Sequence, residues 1–258
     1  VAPYDGAPIV RVAGANNIKI SGFVLRDQHN TSRWGISEGA AVYMSNGSSG
    51  NIIEDNEITA TGGGVWVSDT AGANNKIQGN TIHHVLNDAI ALFAPQGNSA
   101  IGNHISRPGL LERFTKGINS APVPNRISYN LIENTPHYGI NVGADSGDGT
   151  IIEYNDVRRT NREAVDCGAV YLKNGAVYNP NNRETVRYNL ISDVVGLHVN
   201  PNLTFTKDTT CWGIYLDLSG GGGQSGTDVY GNVILNAPTG AVMVHKGTDN
   251  KIYNNMFI

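Results

Sequence analysis

One short unit, apolar-x-x-Asn-x-apolar, recurs along the chain and limits its possible folds more than any other feature. It reads Ile53…Asn56…Ile58, Ile77…Asn80…Ile82, Ala100…Asn103…Ile105 and Ile127…Asn130…Ile132. It continues as Ile152…Asn155…Val157, Val186…Asn189…Ile191, Val229…Asn232…Ile234 and Ile252…Asn255…Phe257. The steps between successive Asn residues are 24, 23, 27, 25, 34, 43 and 23. An earlier copy, Ile20…Phe23…Leu25, has Phe in the Asn slot. Between the copies lies a second unit, Gly-apolar-x-apolar, as in Gly64-Val65-Trp66-Val67, Gly139-Ile140-Asn141-Val142, Gly213-Ile214-Tyr215-Leu216 and Gly240-Ala241-Val242-Met243.

Both units alternate with a period of two, so they are strands, and they are too short and too broken by Gly and Asn for helices. A fixed order of short strands repeating about every 23 residues predicts a solenoid. The expected fold is all-β: a right-handed parallel β-helix of about eight or nine coils, three short strands per coil, forming one domain over residues 1–258. Alternate side chains should stack inward as aliphatic columns, and the recurrent Asn should occupy a turn in the left-handed region and stack as a ladder. A β-sandwich would also show many short strands, but it does not require this motif order. The long steps predict insertions near residues 158–167 and 196–211, with a smaller one at 106–116, and long loops on a rigid scaffold often carry function.

Composition agrees. Of 258 residues, 32 are Gly and 31 Asn, nearly a quarter of the chain in the two types that best tolerate positive φ. Only 10 are Pro and 40% are hydrophobic, so the chain can bury a core. A net charge of −4 argues against a nucleic-acid partner. No apolar run approaches the ~20 residues of a membrane-spanning helix. The chain begins with Val inside repeat-like sequence, so a segment of a longer protein is expected.

Aligning the Gly-apolar strands places Cys167 opposite Cys211. Equivalent Cα atoms on neighbouring coils are about 5 Å apart, within reach of a disulfide, although two stacked buried thiols fit the same alignment. A bridge would imply an exported protein: secreted, periplasmic or on the cell surface.

The alignment also assigns facing. One outward column reads Tyr43, Trp66, Ala91, Asn119, Asn141, Tyr171, Tyr215 and Met243. Two residues further along lie Ser45, Ser68, Phe93, Gly143, Lys173, Asp217 and His245. Solvent-facing Tyr and Trp give flat platforms suited to sugar rings or protein partners. Lys173, Asp217 and His245 fall on three successive coils, Asp166 lies at the mouth of an insertion, and His137 precedes the Asn141 strand. Exposed Asp and Lys on adjacent strands commonly form a cross-strand pair and nothing more. A carboxylate, a cation, an imidazole and aromatics gathered on one face favour a functional site. Its expected binding residues are Trp66, His137, Asn141, Tyr171, Lys173, Tyr215 and His245. Asp69 and Asp88 fit turns, and the run Gly220–Gly223 fits a loop beside the cleft. No zinc spacing is present, and His83 and His84 should alternate faces. No cofactor is expected; a calcium site from Asp145 and Asp148 is weakly indicated.

The rungs resemble the pectate-lyase-like superfamily over nearly the whole chain. More narrowly, Asp166-Cys167-Gly168-Ala169-Val170-Tyr171, Arg187-Tyr188-Asn189-Leu190-Ile191-Ser192-Asp193 and Gly213-Ile214-Tyr215-Leu216-Asp217 resemble glycoside hydrolase family 141. So do Val244-His245-Lys246-Gly247-Thr248-Asp249-Asn250 and Asn254-Asn255-Met256-Phe257. That family includes fucosidase and xylanase activities. The resemblance implies that Asp166 and Asp217 are a catalytic pair and that the partner is a plant or microbial carbohydrate. Two other readings stay open: a polysaccharide lyase or uronate epimerase with Lys173 or His245 in the chemistry, and a non-catalytic adhesin whose aromatic stripe binds glycans.

Overall fold

A computed structural model describes residues 7–28, 39–95, 97–121, 123–144, 149–174, 183–200, 202, 204–207, 210–219 and 222–258. Three parallel sheets run the length of the molecule, each with nine parallel strands, and no helix occurs among the described residues. Every coil contributes one strand to each sheet, giving about nine coils. The first sheet holds, in order, Val10–Ala13, Ala40–Ser45, Gly63–Val67, Ile90–Leu92, Ile118–Ser120, Ile140–Ala144, Cys167–Asn174, Cys211–Ser219 and Gly240–Val244. The short strand Gly222–Gly223 pairs antiparallel with Cys211–Ser219.

Register follows the aliphatic columns. Val42, Val65, Ile90, Ile118, Ile140, Val170 and Ile214 align coil to coil and are almost completely buried. The second and third sheets stack Ile53, Ile77, Ala100, Ile127 and Ile58, Ile82, Ile105, Ile132 in the same way. A one-residue slip would turn each column outward, so burial fixes the register.

The Asn ladder forms, with different local geometry from that expected. The left-handed residue is the one before each Asn: Asp55, Gly79, Gly102, Tyr129, Tyr154, Tyr188, Gly231 and Asn254 all have positive φ, and the ladder Asn residues do not. Each Asn side chain instead bridges coils. Asn103 Nδ2 donates to Asn130 Oδ1 (3.0 Å) and to the carbonyl of Ile77 (2.9 Å), and its own Oδ1 accepts from the Asn80 amide (3.0 Å). A second ladder, Asn51, Asn75, Asn98 and Asn125, runs up another corner. Its signal is in the sequence as an Asn five positions before a first-ladder Asn, at 51/56, 75/80, 98/103 and 125/130.

The 43-residue step is filled partly by an antiparallel pair, Leu197–Val199 with Phe205–Lys207. The 34-residue step is not concentrated near 158–167: strand Cys167–Asn174 is lengthened to 8 residues, and residues 175–182 beyond it lie outside the described part. A disulfide joins Cys167 and Cys211, whose Cα atoms are 4.7 Å apart in the aligned register. It ties together the two longest strands of the first sheet.

Candidate active site

The outward column lines up as aligned from the sequence. Tyr43, Trp66, Ala91, Asn119, Asn141, Tyr171, Tyr215 and Met243 are successive register partners. Lys173 pairs with Gly143 on one side and Asp217 on the other. One residue past the register pair Leu216 and Val244, Asp217 meets His245.

Chemistry gathers around Asp217. Its side chain is only 12% exposed, and its Oδ1 lies 3.0 Å from His245 Nδ1. The Tyr171 hydroxyl donates to its Oδ2. The Tyr215 hydroxyl lies 3.4 Å from Asp166 Oδ1 and 3.2 Å from His245 Nδ1, and it is within hydrogen-bonding reach of Asp217 as well. One phenol thus touches both carboxylates. Their nearest oxygens are therefore at most two hydrogen-bond lengths apart, roughly 6–7 Å. Asp166 is exposed and sits at φ 55°, in a left-handed turn that Asp tolerates better than most residues. Its amide donates to Thr210 Oγ1 at 3.2 Å. Across the bridge, Cys167 and Cys211 follow Asp166 and Thr210 and hold these two backbones together.

Tyr171 and Tyr215 are not the open platforms expected from their column. They are 6% and 2% exposed. Tyr138 stacks on Tyr171 (ring centroids 4.2 Å apart) and is hydrogen-bonded to it; Trp212 leans on Tyr215 at 4.6 Å. Burial, above all, lifts the phenols of Tyr171, Tyr215 and Tyr138 above the ordinary tyrosine range, with the carboxylates adding to the effect. All three stay protonated at neutral pH and serve as donors. Tyr138 sits in the turn before its strand, and Trp212 near the start of strand Cys211–Ser219 has Gly168 and Gly240 as register partners, so neither falls in the aligned columns and sequence reasoning missed both.

The other expected binding residues scatter. His137 is buried, stacked on Tyr138 at 3.6 Å with Phe114 edge-on at 5.6 Å. Burial first, then the nearby Lys116 charge, lowers its pKa to about 3, so it is a neutral wall residue, one layer removed from Asp217. Asn141 is 9% exposed and donates to Asn119 Oδ1 (2.8 Å), while Asn119 donates to Asp88 Oδ2 (2.8 Å). Asp88 also accepts from the Lys116 amide (2.8 Å), so it anchors a polar chain rather than only a turn. Trp66 lies five coils from Tyr215, about 24 Å along the axis. It lines a separate cleft of about 500 Å³ with Tyr43, Ser68, Asp69 and Phe93.

His83 and His84 do not alternate. The strand ends at His83, and a φ of 52° at His84 turns the second ring back, leaving the two Nδ1 atoms 2.8 Å apart. No group of three metal-ligating side chains is arranged to hold a metal among the described residues. Asp145, Asp148, Gly220 and Gly221 lie outside them.

Three continuous parallel sheets, Asn ladders and a polar cluster on one outer face define a parallel β-helix with a candidate site on its first sheet. The chain belongs to the right-handed beta helix family, whose profile matches residues 8–182. No curated protein matches it in sequence. Among solved structures it is similar to an alginate lyase from Paenibacillus sp. str. FPU-7, with a TM-score of 0.63, 18% identity, and coverage of 91% of this chain and 78% of that one. It is also similar to a GH136 lacto-N-biosidase from Eubacterium ramulus (TM-score 0.59, 16% identity), covering 96% of this chain but 44% of that one. A DFA-IIIase from Arthrobacter chlorophenolicus A6 gives a TM-score of 0.51 at 13% identity, covering 96% and 75%. At these identities the likeness is one of fold.

Proposed function

We propose that the protein is a carbohydrate-active enzyme, and specifically a glycoside hydrolase acting through Asp217 and Asp166. The observation that carries this is the pair of carboxylates sharing the Tyr215 phenol on one outer face. Glycoside hydrolysis needs one carboxyl to protonate the leaving oxygen and a second to act as nucleophile or to activate water, at ~5–5.5 Å or ~6.5–9.5 Å. A phenol shared by the pair supports a separation of that order. Asp217, buried and in contact with the Tyr171 hydroxyl and His245 Nδ1, takes the nucleophile or base role. Asp166, across the Tyr215 phenol from it, is the remaining carboxyl and takes the proton-donor role. The hydrolases and the lyase of similar fold act on carbohydrates by their names, and the motif resemblance to family 141 points the same way.

Lyase or epimerase chemistry is the second reading, favoured by His245, whose Nδ1 faces Asp217 as in an oriented general base. Against it stand two carboxylates where a uronate's own carboxylate would have to approach. The Cys167–Cys211 bridge supports work outside the reducing cytosol.

The deciding experiment is a screen of polysaccharides and aryl glycosides with wild-type protein, Asp217→Asn and Asp166→Asn. Hydrolysis lost in both variants, with unchanged circular dichroism, is expected. Wild-type turnover in Asp217→Asn refutes the assignment, and ultraviolet absorbance of an unsaturated uronide selects the lyase.

A further inference from the structure

The Trp66 cleft is far from Asp217 yet lies on the same column. Trp66 and Phe93 meet edge to face at 5.0 Å. Ala91, the register partner of Trp66, is small and buried, so nothing on the next coil covers the indole from that position. Tyr43 on the preceding coil completes the wall, and the Arg11 guanidinium lies 5.4 Å from the centre of its ring. Among the described residues the cleft is lined by three aromatic rings, a hydroxyl and one carboxylate, Asp69, with no basic side chain.

The stretch between the cleft and Asp217 is polar, with Asn119 the partly exposed member and Asp88 and Asn141 buried beneath it. Asp88, Asn119 and Asn141 form a continuous hydrogen-bonded row along it. An extended glycan laid along the axis would meet aromatic rings at one end, amides in the middle and the two carboxylates at the other.

We infer that Tyr43, Trp66 and Phe93 form a distal sugar-binding subsite four to six coils from Asp217, and that the substrate is a neutral polysaccharide lying along the helix axis. The inference rests on the hydrolase reading for the position of the cleaved bond, but the subsite itself binds sugar whether or not Asp217 is catalytic. Neutrality follows from the cleft's own lining, where Asp69 is the charged side chain, while the cations Arg11 and Lys173 lie beside Tyr43 and Asp217.

The test measures binding and turnover separately. Retardation of the protein in gels containing xylan, galactomannan, mixed-linkage glucan or alginate reports binding without chemistry. Wild-type protein and Asp217→Asn should both be slowed by at least one neutral polymer and not by alginate. Trp66→Ala and Phe93→Ala, checked for folding by circular dichroism, should each lose affinity on the order of tenfold, a stacked ring's contribution. Trp66→Phe should restore part of it. In turnover, the advantage of a long oligosaccharide over a short one, as a ratio of kcat/KM values, should fall by a similar factor in Trp66→Ala. Unchanged retardation in both alanine variants overturns the subsite, as does a wild type that no neutral polymer slows. Retardation by alginate alone overturns the substrate class. Polymer binding that depends on Trp66, with no hydrolysis of any polymer, upholds the subsite and refutes the carboxylate reading instead.

Discussion

Replacing Asn130 by Ala tests the physical role of the ladder at its centre. The Asn130 Oδ1 accepts from the Asn103 amide at 2.9 Å and from Asn103 Nδ2 at 3.0 Å, and its Nδ2 donates to the Ala100 carbonyl at 3.0 Å. Asn155 Oδ1 keeps the Asn130 backbone amide (3.0 Å) after the change, and Asn103 Nδ2 keeps the Ile77 carbonyl (2.9 Å). The Asn103 amide has no such substitute. One fully stranded buried donor costs about 1–3 kcal/mol, and each half-satisfied group adds about 0.5–1.5 kcal/mol. The expected loss is about 3–4 kcal/mol, or roughly 10 °C in Tm for a domain of this size. Asn255→Ala is the matched control: it removes the same kinds of bond, to the Asn232 amide (3.0 Å) and the Val229 carbonyl (2.9 Å), at a half-exposed position. Water replaces them there, so about 1 kcal/mol is expected. Urea titration followed by circular dichroism compares the two, and hydrogen exchange at the Asn103 amide should accelerate only in Asn130→Ala. Equal destabilisation of both variants, within about 1 kcal/mol, would refute the view that unsatisfied buried groups set the cost.

Three further changes probe the site and its walls. Tyr171→Phe removes a donor from Asp217; the ionised carboxylate loses support, so the acid limb of kcat/KM should move up by about one pH unit, and a limb that stays put or moves down contradicts the base role. His137 has its pKa lowered to about 3 by burial, so below the unfolded value near 6.5 the unfolded chain binds more protons and stability falls with pH. Between pH 6.5 and about 3 the wild type should lose on the order of 1 kcal/mol per pH unit more than His137→Gln, and parallel urea midpoints would contradict this. The double change Cys167→Ala, Cys211→Ala opens a cross-link between positions 44 apart, and a loss of up to about 4 kcal/mol in non-reducing urea titration is expected, absent when both proteins are reduced.

The fold was legible because burial and register reinforce each other. A repeat that alternates with a period of two and returns every coil has one way to bury Ile53, Ile77, Ala100 and Ile127 together, so alignment alone found the columns and the Cys pair. The same alignment placed Asp217, Lys173 and His245 on neighbouring coils. It failed where the chain leaves the strands. Tyr138 and Phe114 come from turns, whose paths no period specifies, and Trp212 from a strand start whose register partners are glycines; these three rings decide which column residues see solvent. That is why Tyr171 and Tyr215 were read as platforms and His137 as a ligand-facing group, when all three are buried. The ladder conformation was misassigned for a related reason: a left-handed residue is needed at the corner, but Gly79, Gly102 and Gly231 show that the position before the Asn supplies it. Tyr129, Tyr154 and Tyr188 hold the same strained conformation and stack on one another at 5.1 and 5.2 Å, so contact between rings replaces glycine's freedom there.

The coil spacing also explains why phenols crowd the candidate site. A solenoid brings register partners of adjacent coils to about 4.8 Å, which sets Lys173 beside Asp217 and lets side chains from neighbouring coils reach a common donor. Asp166 and Asp217 come from such neighbours. Tyr215 sits between them, Tyr171 bonds Asp217 from the other side, and both phenols are kept protonated by the burial that makes them poor platforms. Each therefore offers a proton to a carboxylate in a low-dielectric setting, where a donor stabilises charge most. Tyr215→Phe should accordingly do more harm than loss of one contact, because the donor shared by both carboxyls goes. The outcome to look for is a broadened, two-step acid limb in kcat/KM, against the single shifted step expected for Tyr171→Phe. An identical shift in the two variants would mean that the phenols act only as packing, and the pairing of Asp166 with Asp217 would then lose its physical basis.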